Sequence, residues 1–417
     1  MQRFTITAGL AWLLLSLSAC GGGSSGGITT GPPAPPPPTP PPTLSTGPEA
    51  CADGDAGGFS CSGVDLRSRL PISAMDGVGG NDIWGWFDAL TSREYALMGL
   101  QNGTAFVDVT DPENPVFLGR LPTQTTSSTW RDIKVYRDHA YIVADAAGAH
   151  GMQVFDLTRL RGVTAAQAWL PDLVYGDFRN AHNLAINETS GFAYAVGTDT
   201  CSGGLHMIDL AEPGNPMFAG CHVVSPDTHD AQCVVYQGPD VNFVGREICI
   251  NSNENHVGIA DVTNKSDPTR VSPAVTYAQL GFVHQAWLTE DHRFLFVGDE
   301  LDEPNFGVPT RTHIFDVSDL TSPQYLYAYE ATTSSIDHNL YVLGNRVFQA
   351  NYSAGLRVLE FGDLANAEIA EIAFFDTLPA SGVGAFDGAW SVYPYLPSAN
   401  IIVSDGINGL FVLTLQP

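Results

Sequence analysis

Apolar and polar residues alternate along this chain in short runs closed by Gly, Asp, Asn and Pro, the pattern of strands joined by tight turns. Gly103–Pro122, GTAFVDVTDPENPVFLGRLP, is the template: one run ends in Val-Asp-Val, a polar turn follows, and a second run begins. The pattern returns as GMQVFDLTRL from Gly151, GGLHMIDLAEPGNPMFAG from Gly203, HVGIADVTNKSDPTRV from His256 and THIFDVSDLTSPQYL from Thr312. Looser copies are GLRVLEF from Gly355 and GLFVLTL from Gly409. A marker acid recurs at Asp108, Asp156, Asp209, Asp261, Asp316 and Glu360, with Thr414 in the seventh copy, at intervals of 44 to 55 residues. Seven copies with about four strands each predict an all-β, seven-bladed propeller rather than a solenoid, because neither end of the repeat array looks like a cap. The last copy is one strand short. The free segment Val64–Met75 is therefore expected to complete it and close the ring, removing two exposed edges.

Aligning the first strand of each copy brings out chemistry. Two polar positions precede every apolar run. The first holds Asn81, Arg131, His182, His229, His284, His338 and Asp387; the second holds Asp82, Asp132, Asn183, Asp230, Gln285, Asn339 and Gly388. First strands line a propeller's central channel, so these positions predict two stacked polar rings at one mouth. Four histidines in consecutive blades, with carboxylates beside them, fit a divalent metal ion or an anion. Asp230 and Asp387 are expected to balance charge or complete a coordination shell, and the second-ring Asp, Asn and Gln to fix imidazole tautomers. The competing reading is a structural network in which these groups pair only with one another and with backbone. A seven-fold ring is too wide for all four imidazoles to reach one ion.

Composition narrows the classes. Lys and Arg number 18 against 45 Asp and Glu, a formal net charge of −27, which repels phosphate backbones and excludes nucleic acid as partner. The chain has two lysines, Lys134 and Lys265, and no Walker loop or HExxH motif, so nucleotide, zincin and Schiff-base chemistry lack residues. Asp299, Glu300, Asp302 and Glu303 crowd one stretch, where a hard cation is one reading; because the spacing is not that of an EF-hand, a solvated acidic loop is the favoured one. Trp84, Trp86, Trp130, Trp287 and Trp390 lie near strand starts, as residues that pack between blades.

Three segments follow: 1–19, a lipoprotein signal peptide; 20–50, a Gly/Ser- and Pro-rich tether; and 51–417, the propeller. The apolar run Ala8–Leu17 is too short to span a bilayer and ends in Leu-Ser-Ala before Cys20, which resembles the bacterial lipobox with Cys20 as the lipid attachment site. Removing Cys20 leaves six cysteines in an exported chain, and proximity predicts the pairs Cys51–Cys61, Cys201–Cys221 and Cys233–Cys249.

WRDIKVY, GMQVFDL, AHNLAIN, HDAQCVVY, HQAWLTEDHR, DHNLYV, NYSAGLRVLEF and GAWSVYPY together resemble the choice-of-anchor B family, whose propellers are built from LVIVD-type repeats. The likeness runs from about Cys51 to Leu415 and departs at Thr414. It implies a bacterial surface or secreted protein whose anchoring device varies, here the Cys20 lipid, which places it at the outer membrane or cell surface; it supplies no catalytic residues. The expectation is a membrane-tethered binding module with an unknown surface ligand or protein as partner. The alternative is a metal-dependent hydrolase or oxidoreductase using the histidine ring.

Overall fold

In the computed structural model, residues 45–223, 228–379 and 386–417 are described; the expected signal peptide, Cys20 and nearly all of the expected tether lie outside them. The marker acids explain how each repeat folds. Asp108, Asp156, Asp209, Asp261 and Asp316 each accept a hydrogen bond from the backbone N–H two residues on, at 2.8–3.0 Å. This Asx turn ends the third strand of a blade and starts the chain toward the outer one. Several markers also hold an arginine at the start of the second strand, as in Arg93–Asp108 and Arg246–Asp261.

Seven antiparallel sheets result, forming a seven-bladed propeller. The inner strands are Gly80–Asp88, Arg131–Tyr136, Asn183–Asn187, Asp230–Val235, Val283–Leu288, Asn339–Leu343 and Ala389–Tyr393, for blades 1 to 7 in chain order. Blade 7 contributes only three strands from its own repeat, and Val64–Leu70 pairs antiparallel with Gly409–Leu415 as its fourth. The closing strand is shorter than the segment named from sequence. Pro71 ends it, and Ile72–Met75 turns as a 3-10 helix that places Met75 in the core between blades 7 and 1.

One further element carried no signal in the repeat pattern. The hairpin Asp55–Ala56 and Phe59–Ser62 extends blade 6, with Cys61 opposite Phe375. The chain thus covers the outer edge of blade 6 and then closes blade 7, with Phe59 packed against Phe375 and Phe411 at 5.4 and 5.3 Å between centroids. Burying rings of this size stabilises by roughly 1.5–3 kcal/mol each. Similar apolar layers lie between other blades, such as Phe106 on Phe155 at 4.5 Å.

All three expected disulfides are present: Cys51–Cys61, Cys201–Cys221 and Cys233–Cys249. Such bonds persist in an oxidising, extracytoplasmic compartment. Among the described residues, no helix is long and apolar enough to cross a membrane.

Candidate metal centre

Each inner strand starts at one mouth of the channel, and the two aligned columns lie there. A cavity of about 60 Å³ is lined by Arg131, His182, His229, His284 and His338 of the first column and by Asp82, Asp132, Asn183 and Asn339 of the second. The four imidazoles form a continuous arc, with successive ring centroids 4.3, 4.3 and 4.2 Å apart. Two first-column members do not join it. Asn81 is buried with its amide donating to the Thr129 carbonyl, and Asp387 is exposed. The expected contribution of Asp387 to a coordination shell is not met: Gly388 turns with φ +120° and has no side chain, so blade 7 presents neither polar group of the columns to the cavity.

The second column is used up in joining blades. Asp82 Oδ2 accepts from Ile133 N–H (2.9 Å), Asp132 Oδ2 from Leu184 N–H (2.7 Å) and Gln285 Oε1 from Leu340 N–H (2.5 Å), each on the next inner strand. Asn183 and Asn339 donate to the His229 and Trp390 carbonyls instead. Asp230 differs from expectation too. It accepts from Ala231 N–H and from the Gln285 amide, and it lines the wider cavity of about 550 Å³ at the other mouth. Between the cavities, Lys134 Nζ lies 2.6 Å from Asp132 and 3.8 Å from Asp82. Burial works against its charge, but the Asp132 and Asp82 carboxylates outweigh it and hold the ammonium above its ordinary range. Burial pushes Asp82 well up and Asp230 up to about 6, with Lys134 opposing both.

The histidines keep one nitrogen each. His182 Nδ1 sits 3.1 Å from Asp145 Oδ2, His229 Nδ1 3.0 Å from the His284 carbonyl, and His338 Nδ1 2.5 Å from the Trp390 carbonyl. An N–H donated there leaves the Nε2 lone pair open, the arrangement that fixes a metal-ligating tautomer. Among the described residues, His284 Nδ1 has no partner within hydrogen-bonding geometry. Burial first, and then the neighbouring imidazoles, hold His229 and His284 well below the ordinary histidine range; burial pushes His338 down to about 3. These rings are neutral near pH 7, the form that binds metal.

Glu300 completes the group. Its carboxylate lies 4.0 Å from His284 Nε2 and 3.9 Å from His338 Nε2, and Tyr352 donates a 2.6 Å hydrogen bond to Oε1. Burial pushes its pKa up, while the Tyr352 bond opposes this. His284, Glu300 and His338 could hold a metal ion, since one ligand atom from each lies within 4.8 Å of the others. The nitrogen–oxygen separations exceed tetrahedral zinc spacing by about 0.6 Å, which small side-chain rotations close.

Sequence alignment of inner strands could not find Glu300, Asp145 or Tyr352. They follow the second strands of blades 5, 2 and 6, namely Phe294–Asp299, His139–Ala144 and Arg346–Ala350. Each faces the first-column residue or aromatic of the next blade: Asp145 meets His182, Glu300 meets His338, and Tyr352 stands 6.0 Å from Trp390 between centroids. Aligning second-strand ends would have exposed this third position. Of the tryptophans, Trp84 and Trp287 pack across blades against Tyr393 and Tyr341 as expected, Trp86 stacks on Tyr95 of its own blade within the apolar layer shared with blade 2, and Trp130 and Trp390 line the histidine cavity.

No protein-family model matches the chain, and no curated protein matches it. Among solved structures, a Lactobacillus plantarum protein is similar with a TM-score of 0.49 and 15% identity, covering 78% of this chain and 89% of its own. A functionally unknown Desulfotomaculum acetoxidans protein is similar at 0.46 and 14%, covering 70% and 88%. A periplasmic gluconolactonase from Pseudomonas aeruginosa is similar at 0.48 and 13%, covering 70% and 87%. The blade count above rests on strand pairing alone.

Proposed function

We propose that this chain is an extracytoplasmic lipoprotein of the choice-of-anchor B type whose propeller binds a divalent transition metal at His284, Glu300 and His338, and a small anionic ligand beside it. The observation that carries the reading is the arc of imidazoles gathered with one carboxylate at an open cavity. Two nitrogens and one oxygen suit zinc or another first-row metal and leave coordination positions for a ligand. Arg131 supports the anionic ligand. Its guanidinium is buried in the same cavity wall, bonds the Leu100 carbonyl and His150, and has no carboxylate partner among the described residues.

Elemental analysis of the purified full chain tests the metal, with about one equivalent of a first-row metal expected and none in His338→Ala. Membrane fractionation of Cys20→Ser tests the anchor, and release into the soluble fraction is expected. The second reading, hydrolysis or oxidation at the same metal, is favoured by His229, a neutral base whose ring lies 4.3 Å from that of His284. Metal-dependent turnover of esters or lactones, lost in His229→Ala with metal retained, would select it.

A further inference from the structure

The acidic stretch after the second strand of blade 5 is not solvated. Asp299 and Asp302 are 0% exposed and Glu303 5%. The fates of these groups differ. Asp299 is satisfied by Tyr277 Oη and by the Gly281 and Phe282 amides at 2.6–2.8 Å. Asp302 Oδ2 is held by the Arg311 guanidinium, at 2.8 Å from Nε and 2.7 Å from Nη2. What remains is Asp302 Oδ1, both oxygens of Glu303 and both oxygens of Asp337, which is 1% exposed; among the described residues none has a donor in hydrogen-bonding geometry. Asp302, Glu303 and Asp337 each bring an oxygen within 4.8 Å of the others. Gly298 makes room for this, since a Cβ there would lie 2.7 Å from Asp337 Oδ2.

We propose that Asp302, Glu303 and Asp337 form a buried calcium site between blades 5 and 6. Asp302, Glu303 and Asp337 against the Arg311 guanidinium leave two negative charges, which match one divalent cation, while the neighbouring Asp299 carboxylate is held by neutral donors. Buried charge persists only when it is paired or coordinated to a metal. The open donors are all oxygen, the choice of a hard cation, and paired carboxylate oxygens suit the flexible six- to eightfold shell of calcium better than the strict octahedron of magnesium. Glu303 lies in the short helix Asp302–Phe306, whose last three residues, Pro304 to Phe306, are exposed, so the site lies within one helical turn of the surface. The site also fixes the backbone next to the histidines, because Asp337 adjoins His338 and Asp302 follows Glu300 by two residues.

The test uses the purified full chain stripped with EGTA. Added calcium should bind at about one ion per chain and raise the melting temperature by several degrees. Glu303→Gln removes a buried like charge without changing shape. It should fold without calcium, bind the ion at least about tenfold more weakly, and show a clearly smaller calcium-dependent melting shift at the same calcium concentration. His284→Ala should keep the full calcium response whether or not the histidine cavity holds a metal. A stripped chain that takes up no calcium and melts unchanged overturns the proposal, as does a normal calcium response in Glu303→Gln. A response to magnesium with none to calcium overturns the assignment to calcium.

Discussion

The two residues that open each inner strand are neighbours in sequence and differ in what they have left to offer. In the second column, Asp82, Asp132 and Gln285 each capture an N–H of the next inner strand, and Asn183 and Asn339 donate to a carbonyl there. In the first column, His182, His229 and His338 place Nδ1 against an acceptor and keep Nε2. The difference teaches how one repeat can carry both duties. A short carboxylate or amide reaches only the adjoining strand, while an imidazole has two separated nitrogens and can serve the scaffold with one and a ligand with the other.

The sharpest way to break this division is Asp132→Ala. It removes the acceptor of Leu184 N–H and the closest partner of buried Lys134, so it should cost about 3–5 kcal/mol in denaturant unfolding. The folded variant should still hold metal; a wild-type melt would mean that the column does not join the blades. Gln285→Ala loses two buried bonds, to Leu340 N–H and Asp230, and should cost about 2 kcal/mol by the same measurement. A smaller effect comes with pH. His150, fully buried beside Arg131, is pushed down to about 4, by burial first and also by the Arg131 charge. Its unfolded form takes up a proton near pH 6.5, so stability present above that is lost as pH falls toward 4, by about 1 kcal/mol at pH 5.5. His150→Gln should flatten that part of the pH–stability curve. His284→Ala should cost less than about 1 kcal/mol, because the space opens into an existing polar cavity that water can fill.

The blades were legible because an Asx turn places Asp at the same point in five of the seven repeats, and because alternation fixes which face of a strand is buried. Ring closure by Val64–Leu70 followed from a missing strand, and the disulfides from sequence proximity. The histidine arc was legible as a column. Its carboxylate was not, since Glu300 enters from a second-strand end, and Asp387 was misplaced because the strand of blade 7 starts after a glycine turn and shifts register between Ala389 and Ser391. The acidic stretch misled for a different reason. Four acids in five residues read as solvated, and the groups that bury them, Arg311, Tyr277 and Tyr352, come from elsewhere in the chain.

The most direct test of the metal centre is X-ray absorption at the edge of the metal found in the full chain, compared with His338→Ala. The account predicts a mixed shell containing two imidazole nitrogens and carboxylate oxygen at about 2.0–2.2 Å in the wild-type protein, with the imidazole scattering reduced or the metal lost in the variant. An all-oxygen shell, or a spectrum the same in both proteins, would contradict it.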